Sequence, residues 1–135
     1  MTSVAHLVLI VEDEGLIRMS LAEDFEEAGF HVLEAGTADE ALKVLETHPE
    51  IEAIFTDIDM PGSMNGLKLA ESVHEGRPDI AIVLTSGFLK VAKNDLPRKI
   101  PFVAKPYDVS HVINHIQEMI FRPSEEDCFP QAIKP

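Results

Sequence analysis

The chain has 135 residues, 45% of them hydrophobic, with ordinary Gly and Pro counts and one cysteine. That length suits one domain and excludes a separate substrate lobe, and the composition excludes disordered, collagen-like and disulfide-stapled classes. The net charge of −13 lies wholly in residues 1–60, which hold only Arg18 and Lys43 against fifteen acids; such a surface repels phosphate backbones and argues against unassisted nucleic-acid binding.

His6 to Val11 is a continuous apolar, branched run and reads as a buried strand of a parallel sheet. It is far too short to span a bilayer, and no basic segment precedes it as in a signal peptide. The expectation is a cytoplasmic protein without membrane insertion. Glu12-Asp13-Glu14 follows, and then apolar residues from Leu16 to Ala28 at helical spacing, with Gly29 as a C-cap. Phe30 to Glu34 is a second strand. Thr37 or Ala38 opens a helix that Pro49 stops. Ile51 to Thr56 is a third strand, ending in Asp57. Met60-Pro61-Gly62 is a turn, and Asn65 caps a helix running to Gly76. Ile80 to Leu84 is a fourth strand ending at Thr85. Residues 88–99 read weakly as a fourth helix, broken by Asn94, Asp95 and Pro97. Pro101 to Ala104 is a fifth strand ending at Lys105. Asp108 caps a last helix through Phe121, and residues 122–135 read as a polar tail.

Strand and helix alternate five times, which predicts a doubly wound α/β domain with a central parallel sheet. In such folds the groups at the carboxyl ends of the strands build the site. Those ends carry Glu12 and Asp13, then Asp57 and Asp59, then Thr85, then Lys105. Carboxylates crowded on one edge repel each other, and a hard cation relieves this. Mg²⁺ takes one or two carboxylates and accepts phosphoryl oxygens. With a hydroxyl and a lysine beside them, these acids read as a phosphoryl site with a carboxylate nucleophile.

The constellation resembles the receiver domain of bacterial two-component response regulators. The matching stretches are Val11-Glu-Asp-Glu14, Asp57-Ile-Asp-Met-Pro61 with Asn65-Gly66, Leu84-Thr-Ser-Gly87, and Phe102-Val-Ala-Lys-Pro106. The resemblance covers residues 5–121 and implies a five-stranded flavodoxin-like sheet of order 2-1-3-4-5 with five flanking helices, the fourth short or irregular. It implies a receiver domain over residues 1–121 and a tail over 122–135. Carried over by position, Asp57 is the phosphoacceptor, Asp13 a direct Mg²⁺ ligand, Glu12 a helper through water, and Asp59 a donor of its backbone carbonyl. Thr85 and Lys105 meet the phosphoryl group. Phe102 holds the aromatic switch position, with Tyr107 as a second candidate. Pro106 follows the lysine, where the family's peptide is usually cis.

The family's phosphodonor is a sensor histidine kinase or a histidine phosphotransfer protein. Leu16, Ile17, Ser20 and Tyr107 are the expected docking residues, although Leu16 and Ile17 could equally be core. The chain ends before a DNA-binding domain could follow, so the expected output is an unknown downstream protein, or service as a phosphate sink or shuttle. A monomer and a phosphorylation-dependent dimer are both open. The sequence departs from the family pattern in four places, one being that Lys105 follows Thr85 by twenty residues, which is somewhat close. Glu12 stands where many members have Asp, one residue is added in the Gly62-Ser63-Met64 loop, and Ser86-Gly87 follows Thr85.

Three rival readings fit less well. The Asp57-Ile-Asp59 spacing resembles the Asp-x-Asp of haloacid-dehalogenase-type phosphatases, but that family carries it on the first strand and needs a cap domain. A flavodoxin-like cofactor binder needs a phosphate-cradling loop after the first strand, where this chain has three acids. A receiver unable to accept phosphate would not need Asp57, Thr85 and Lys105 together. His111 and His115 stand at metal-compatible spacing on the last helix, but lack a third ligand. Cys128 in the tail reads as incidental, and Lys90, Lys93, Arg98 and Lys99 as a small basic, solvated face.

Overall fold

The computed structural model describes residues 6–60, 65–87 and 100–121. Five strands form one parallel sheet: β1 (Leu7–Val11), β2 (His31–Ala35), β3 (Ala53–Asp57), β4 (Ala81–Ser86) and β5 (Phe102–Ala104). Their spatial order is β2-β1-β3-β4-β5, the expected doubly wound arrangement. Among the described residues four helices flank it: α1 (Gly15–Glu27), α2 (Ala38–Thr47), α3 (Gly66–Gly76) and α4 (Val109–Phe121). The expected helix over 88–99, the loop over 61–64, the basic face and the tail with Cys128 lie outside the described residues.

The sheet divides the core into two layers. Leu9, Val11, Ile54, Ile82 and Leu84 face α2 and α3, where they meet Ala38, Ala41, Leu69, Ala70 and Val73. Val8, Ile10, Phe55 and Val83 face α1 and α4, where they meet Leu21, Phe25, Val112 and Ile116. Alternating side chains thus serve both faces, which is why the central strands are apolar until their carboxyl ends.

Local chemistry sets the helix ends. Thr37 accepts the Glu40 N–H at 3.0 Å and Asn65 accepts the Lys68 N–H at 2.9 Å, each supplying an N-cap oxygen to an otherwise unpaired donor. Asp108 accepts the Ser110 N–H at 3.0 Å. Helix α1 ends one residue earlier than Gly29 as cap would place it. Ala28 is the C-cap and Gly29, at φ 102°, follows it. The Gly29 N–H then bonds Glu26 O and the Phe30 N–H bonds Phe25 O, while the two phenyl rings meet at 5.5 Å. This is a Schellman closure with its apolar contact. Phe30 therefore closes the helix, and β2 starts at His31 instead of Phe30.

Candidate functional site

Period-two alternation decides which side chains meet at the carboxyl edge. Val8, Ile10, Ala53, Phe55, Val83 and Val103 all belong to the α1–α4 layer. Counting on by two, Glu12, Asp57, Thr85 and Lys105 share that parity. Asp57 is also the direct register partner of Thr85 across β3 and β4. Three of the four are almost sealed from solvent: Glu12 is 3%, Asp57 4% and Thr85 2% exposed.

Asp57 is held on both oxygens. Lys105 Nζ donates to Oδ2 at 2.9 Å, and the Asp59 N–H donates to Oδ1 at 3.0 Å. Lys105 Nζ and Asp57 also form an ion pair in which the lysine is the more exposed partner. Partial burial pulls the lysine pKa down. Its hydrogen bond to Asp57 and the charges of Asp57, Glu12 and Asp59 outweigh this and hold it above the ordinary lysine value. Burial pushes the Glu12 carboxyl above the usual range. The Glu14 N–H that it accepts and the charge of Lys105 pull it down, while Asp57 and Asp13 push it further up.

Carboxylate oxygens of Glu12, Asp13 and Asp57 all lie within 4.8 Å of one another. Asp13 is exposed and the other two are buried, so the group opens to solvent on one side only. These are hard, anionic oxygens of the kind that suit Mg²⁺. Thr85 Oγ1 is buried and has no hydrogen-bond partner among the described residues. An orphaned hydroxyl at the strand end beside Asp57 is a donor without an acceptor, as a site for an anionic oxygen requires. The residues present therefore fit a divalent cation together with a phosphoryl group.

The side chain of Asp59 turns away from this group. Its Oδ2 accepts Ser86 Oγ at 2.6 Å and the Gly87 N–H at 3.3 Å. Sequence reasoning singled out the Asp59 carbonyl and did not foresee this cross-strand bridge between residues 27 apart. Nor did it foresee why Gly66 follows Asn65. A Cβ at Gly66 would lie 1.9 Å from the Asp57 carbonyl oxygen, so only glycine lets α3 start against the end of β3.

The remaining named residues fall in different places. The Lys105–Pro106 peptide is cis. Phe102 is half-buried against the α2–α3 layer, on the sheet face opposite to Asp57. Tyr107 packs edge-on against Phe55 at 5.4 Å, under the acidic group. Burial raises its phenol to about 12, and the charges of Glu12, Asp57 and Asp24 add to the shift. Leu16 (81% exposed), Ile17, Met19 and Ser20 form an open surface on α1. Leu16 and Ile17 are therefore not core residues. His111 is exposed and His115 half-buried. Among the described residues, Glu12, Asp13 and Asp57 are the group placed to hold a metal, and no helix is long and apolar enough to cross a membrane.

The family pattern described as the response regulator receiver domain matches residues 8–117. The chain is 34% identical over 116 residues to the response regulator receiver protein CpdR of Brucella abortus, covering 84% of this chain and 95% of that protein. It is 32% identical over 117 residues to the sensor kinase CckA of the same organism, of which it spans 12%. A receiver domain protein (CheY-like) from Methanospirillum hungatei superposes with a TM-score of 0.78 at 26% identity, over 91% of this chain and 99% of that structure. With its strand order, its acidic edge and this match across most of its length, the chain belongs to the response regulator receiver domain family of two-component signalling.

Proposed function

We propose that the chain is a phosphoacceptor whose acceptor is Asp57. The observation that carries this reading is the environment of one carboxylate. Asp57 is 4% exposed, held on one oxygen by Lys105 and on the other by the Asp59 N–H, beside a buried hydroxyl that has no partner among the described residues. A carboxylate fixed in this way is oriented before it reacts, and orientation is the main thing a protein contributes to phosphoryl transfer.

The donor is a phosphohistidine of a sensor kinase or of a phosphotransfer protein. An Asp57 oxygen forms the new P–O bond as the P–N bond breaks, and the electron pair leaves with the imidazole. Glu12, Asp13, Asp57 and the Asp59 carbonyl would hold Mg²⁺. Bound there, that ion offsets carboxylate charge and takes phosphoryl oxygens as ligands. Lys105 exchanges its carboxylate partner for a phosphoryl oxygen. The Thr85 hydroxyl gains a phosphoryl acceptor, which biases the end of β4 toward a second arrangement. Phe102 and the Pro106 turn flank that strand end and carry the change outward. The exposed Leu16, Ile17 and Ser20, with Tyr107, receive the donor protein, and the output is a protein contact. The acidic balance of the first half supports protein over nucleic-acid partners.

The test is intact-protein mass after incubation with acetyl phosphate, with and without Mg²⁺, beside Asp57→Asn. The expected result is a Mg²⁺-dependent gain of one phosphoryl group that the variant lacks. An adduct that persists in the variant would move the acceptor elsewhere. No adduct from acetyl phosphate or from a phosphohistidine donor would overturn the reading.

A further inference from the structure

Arg18 and Lys43 are the two basic residues in the first sixty of the sequence, and Arg18 sits behind the acidic edge. From α1 its Nη1 donates to the backbone carbonyl of Glu12 at 2.7 Å, and its Nε donates to Glu34 Oε1 at 3.1 Å. The peptide unit before it is also tied, since the Glu12 N–H donates to Ala35 O at 3.1 Å. Gly36 leaves room for the guanidinium: a Cβ there would lie 3.2 Å from Nη1. One side chain thus joins the end of β1, the end of β2 and the first turns of α1. What it fixes is the backbone that carries Glu12 and Asp13.

We propose that Arg18, anchored by Glu34, is a positioning residue that preorganises the Glu12–Asp13–Asp57 group for its cation. Like charges drive those carboxylates apart when no cation is present. A brace on the Glu12 carbonyl resists that spreading, so the cation meets a gathered site and does not have to gather it. Partners that orient metal ligands typically contribute about 10- to 100-fold in affinity. A planar fork reaches both acceptors at once, which a lysine ammonium does not. This inference rests on reading the three carboxylates as the cation site.

The test is calorimetric titration of the full chain with MgCl₂, alongside urea unfolding of the metal-free protein. Arg18→Ala should weaken Mg²⁺ binding by about 10-fold or more, and Arg18→Lys should recover part of that loss. Glu34→Gln should weaken binding in the wild-type background and do less in the Arg18→Ala background, because the anchor then has nothing to hold. That comparison serves also if Arg18→Lys must replace an Arg18→Ala protein that does not fold. Mere charge predicts the opposite sign for Arg18→Ala, since removing a cation near the site should tighten Mg²⁺. Tighter binding, or unchanged binding with reduced urea stability, overturns the brace. An equal effect of Glu34→Gln in both backgrounds also overturns it. A wild-type chain that binds no Mg²⁺ overturns the cation site itself, and the brace with it.

Discussion

Lys105 Nζ reaches Asp57 Oδ2 at 2.9 Å across 48 residues of sequence, joining the ends of β5 and β3, which are separated in the sheet by β4. The pair sits beside Glu12 and Asp13, so Lys105 is the cation that makes a buried acidic group tolerable. Lys105→Met leaves that charge uncompensated. The expected loss is about 1–2 kcal/mol, below the usual figure for breaking a buried pair because the lysine is partly solvated. Adding Asp57→Asn should restore much of the stability, since neither charge then remains. Urea unfolding of the two variants checks this. A double variant less stable than Lys105→Met would contradict it.

Thr85 gives a prediction of opposite sign. Its hydroxyl is buried and unpartnered among the described residues. A group in that position has been desolvated without return, at a cost of about 1–3 kcal/mol. Thr85→Val keeps the shape and removes the orphan. It should leave the unphosphorylated protein as stable or up to about 1 kcal/mol more stable, while blunting any structural response to phosphorylation. Thermal melts and amide spectra before and after acetyl phosphate would show both effects. A clear loss of stability would mean that the hydroxyl is already satisfied in solution.

Gly66 and Gly76 form a matched pair at the two ends of α3. A Cβ at Gly66 meets the Asp57 carbonyl oxygen at 1.9 Å, whereas one at Gly76 meets nothing within 4 Å. Gly66→Ala must push α3 off β3 or move Asp57, and should cost about 3 kcal/mol. Gly76→Ala should be neutral or stabilise by up to about 1 kcal/mol, through helix propensity. Chemical denaturation of the two proteins, side by side, decides the matter. Equal effects would mean that the close approach at Asp57 relaxes freely.

Some of this was legible in the sequence and some was not. The strand ends could be read because buried parallel strands are apolar throughout, so the polar residue that stops each run marks the edge. Asp57, Thr85 and Lys105 follow from that logic, and the Asn65 and Thr37 caps follow from local hydrogen bonding. Phe30 misled because an apolar residue after glycine serves equally as the first residue of a strand or as the closing contact of a helix. Phe25 lies five residues back and decides it only in three dimensions. The Asp59–Ser86 bridge and the reach of Arg18 to Glu34 span 27 and 16 residues with no periodic signature. Their only trace in the sequence is the scarcity of basic residues around Arg18. The Gly66 clash depends on the distance between α3 and β3, which no spacing rule contains.

His115 supplies a pH dependence away from the site. Burial on α4 lowers its pKa below 6.5, and the charge of Glu118 opposes this in part. The unfolded chain therefore binds the proton first as pH falls. Stability from the neutral imidazole is complete above the unfolded value and declines as pH drops from there through the folded value. For one proton the slope stays under about 1.4 kcal/mol per pH unit. His115→Gln should flatten the urea midpoint between pH 7 and pH 5 relative to the parent, by roughly the same bound. A variant whose midpoint changes over that window as much as the parent's would show His115 to be open to water.

Asp13 tests the cation reading through stability. It is exposed, and one of its oxygens lies within 4.8 Å of oxygens on both Glu12 and Asp57. Without metal it adds repulsion; if the group holds Mg²⁺ as proposed, it is the accessible ligand. Asp13→Asn should therefore raise stability in EDTA, by about 0.5–1 kcal/mol. In Mg²⁺ the order should reverse. A ligand present at 100 times its Kd stabilises the parent by about 2.7 kcal/mol, and the variant should lose most of that gain. Melting temperatures of both proteins in EDTA and along a Mg²⁺ series would display the crossing. Parallel curves, with the same increment for parent and variant, would remove Asp13 from the ligand set while leaving Asp57 and Lys105 where the geometry puts them.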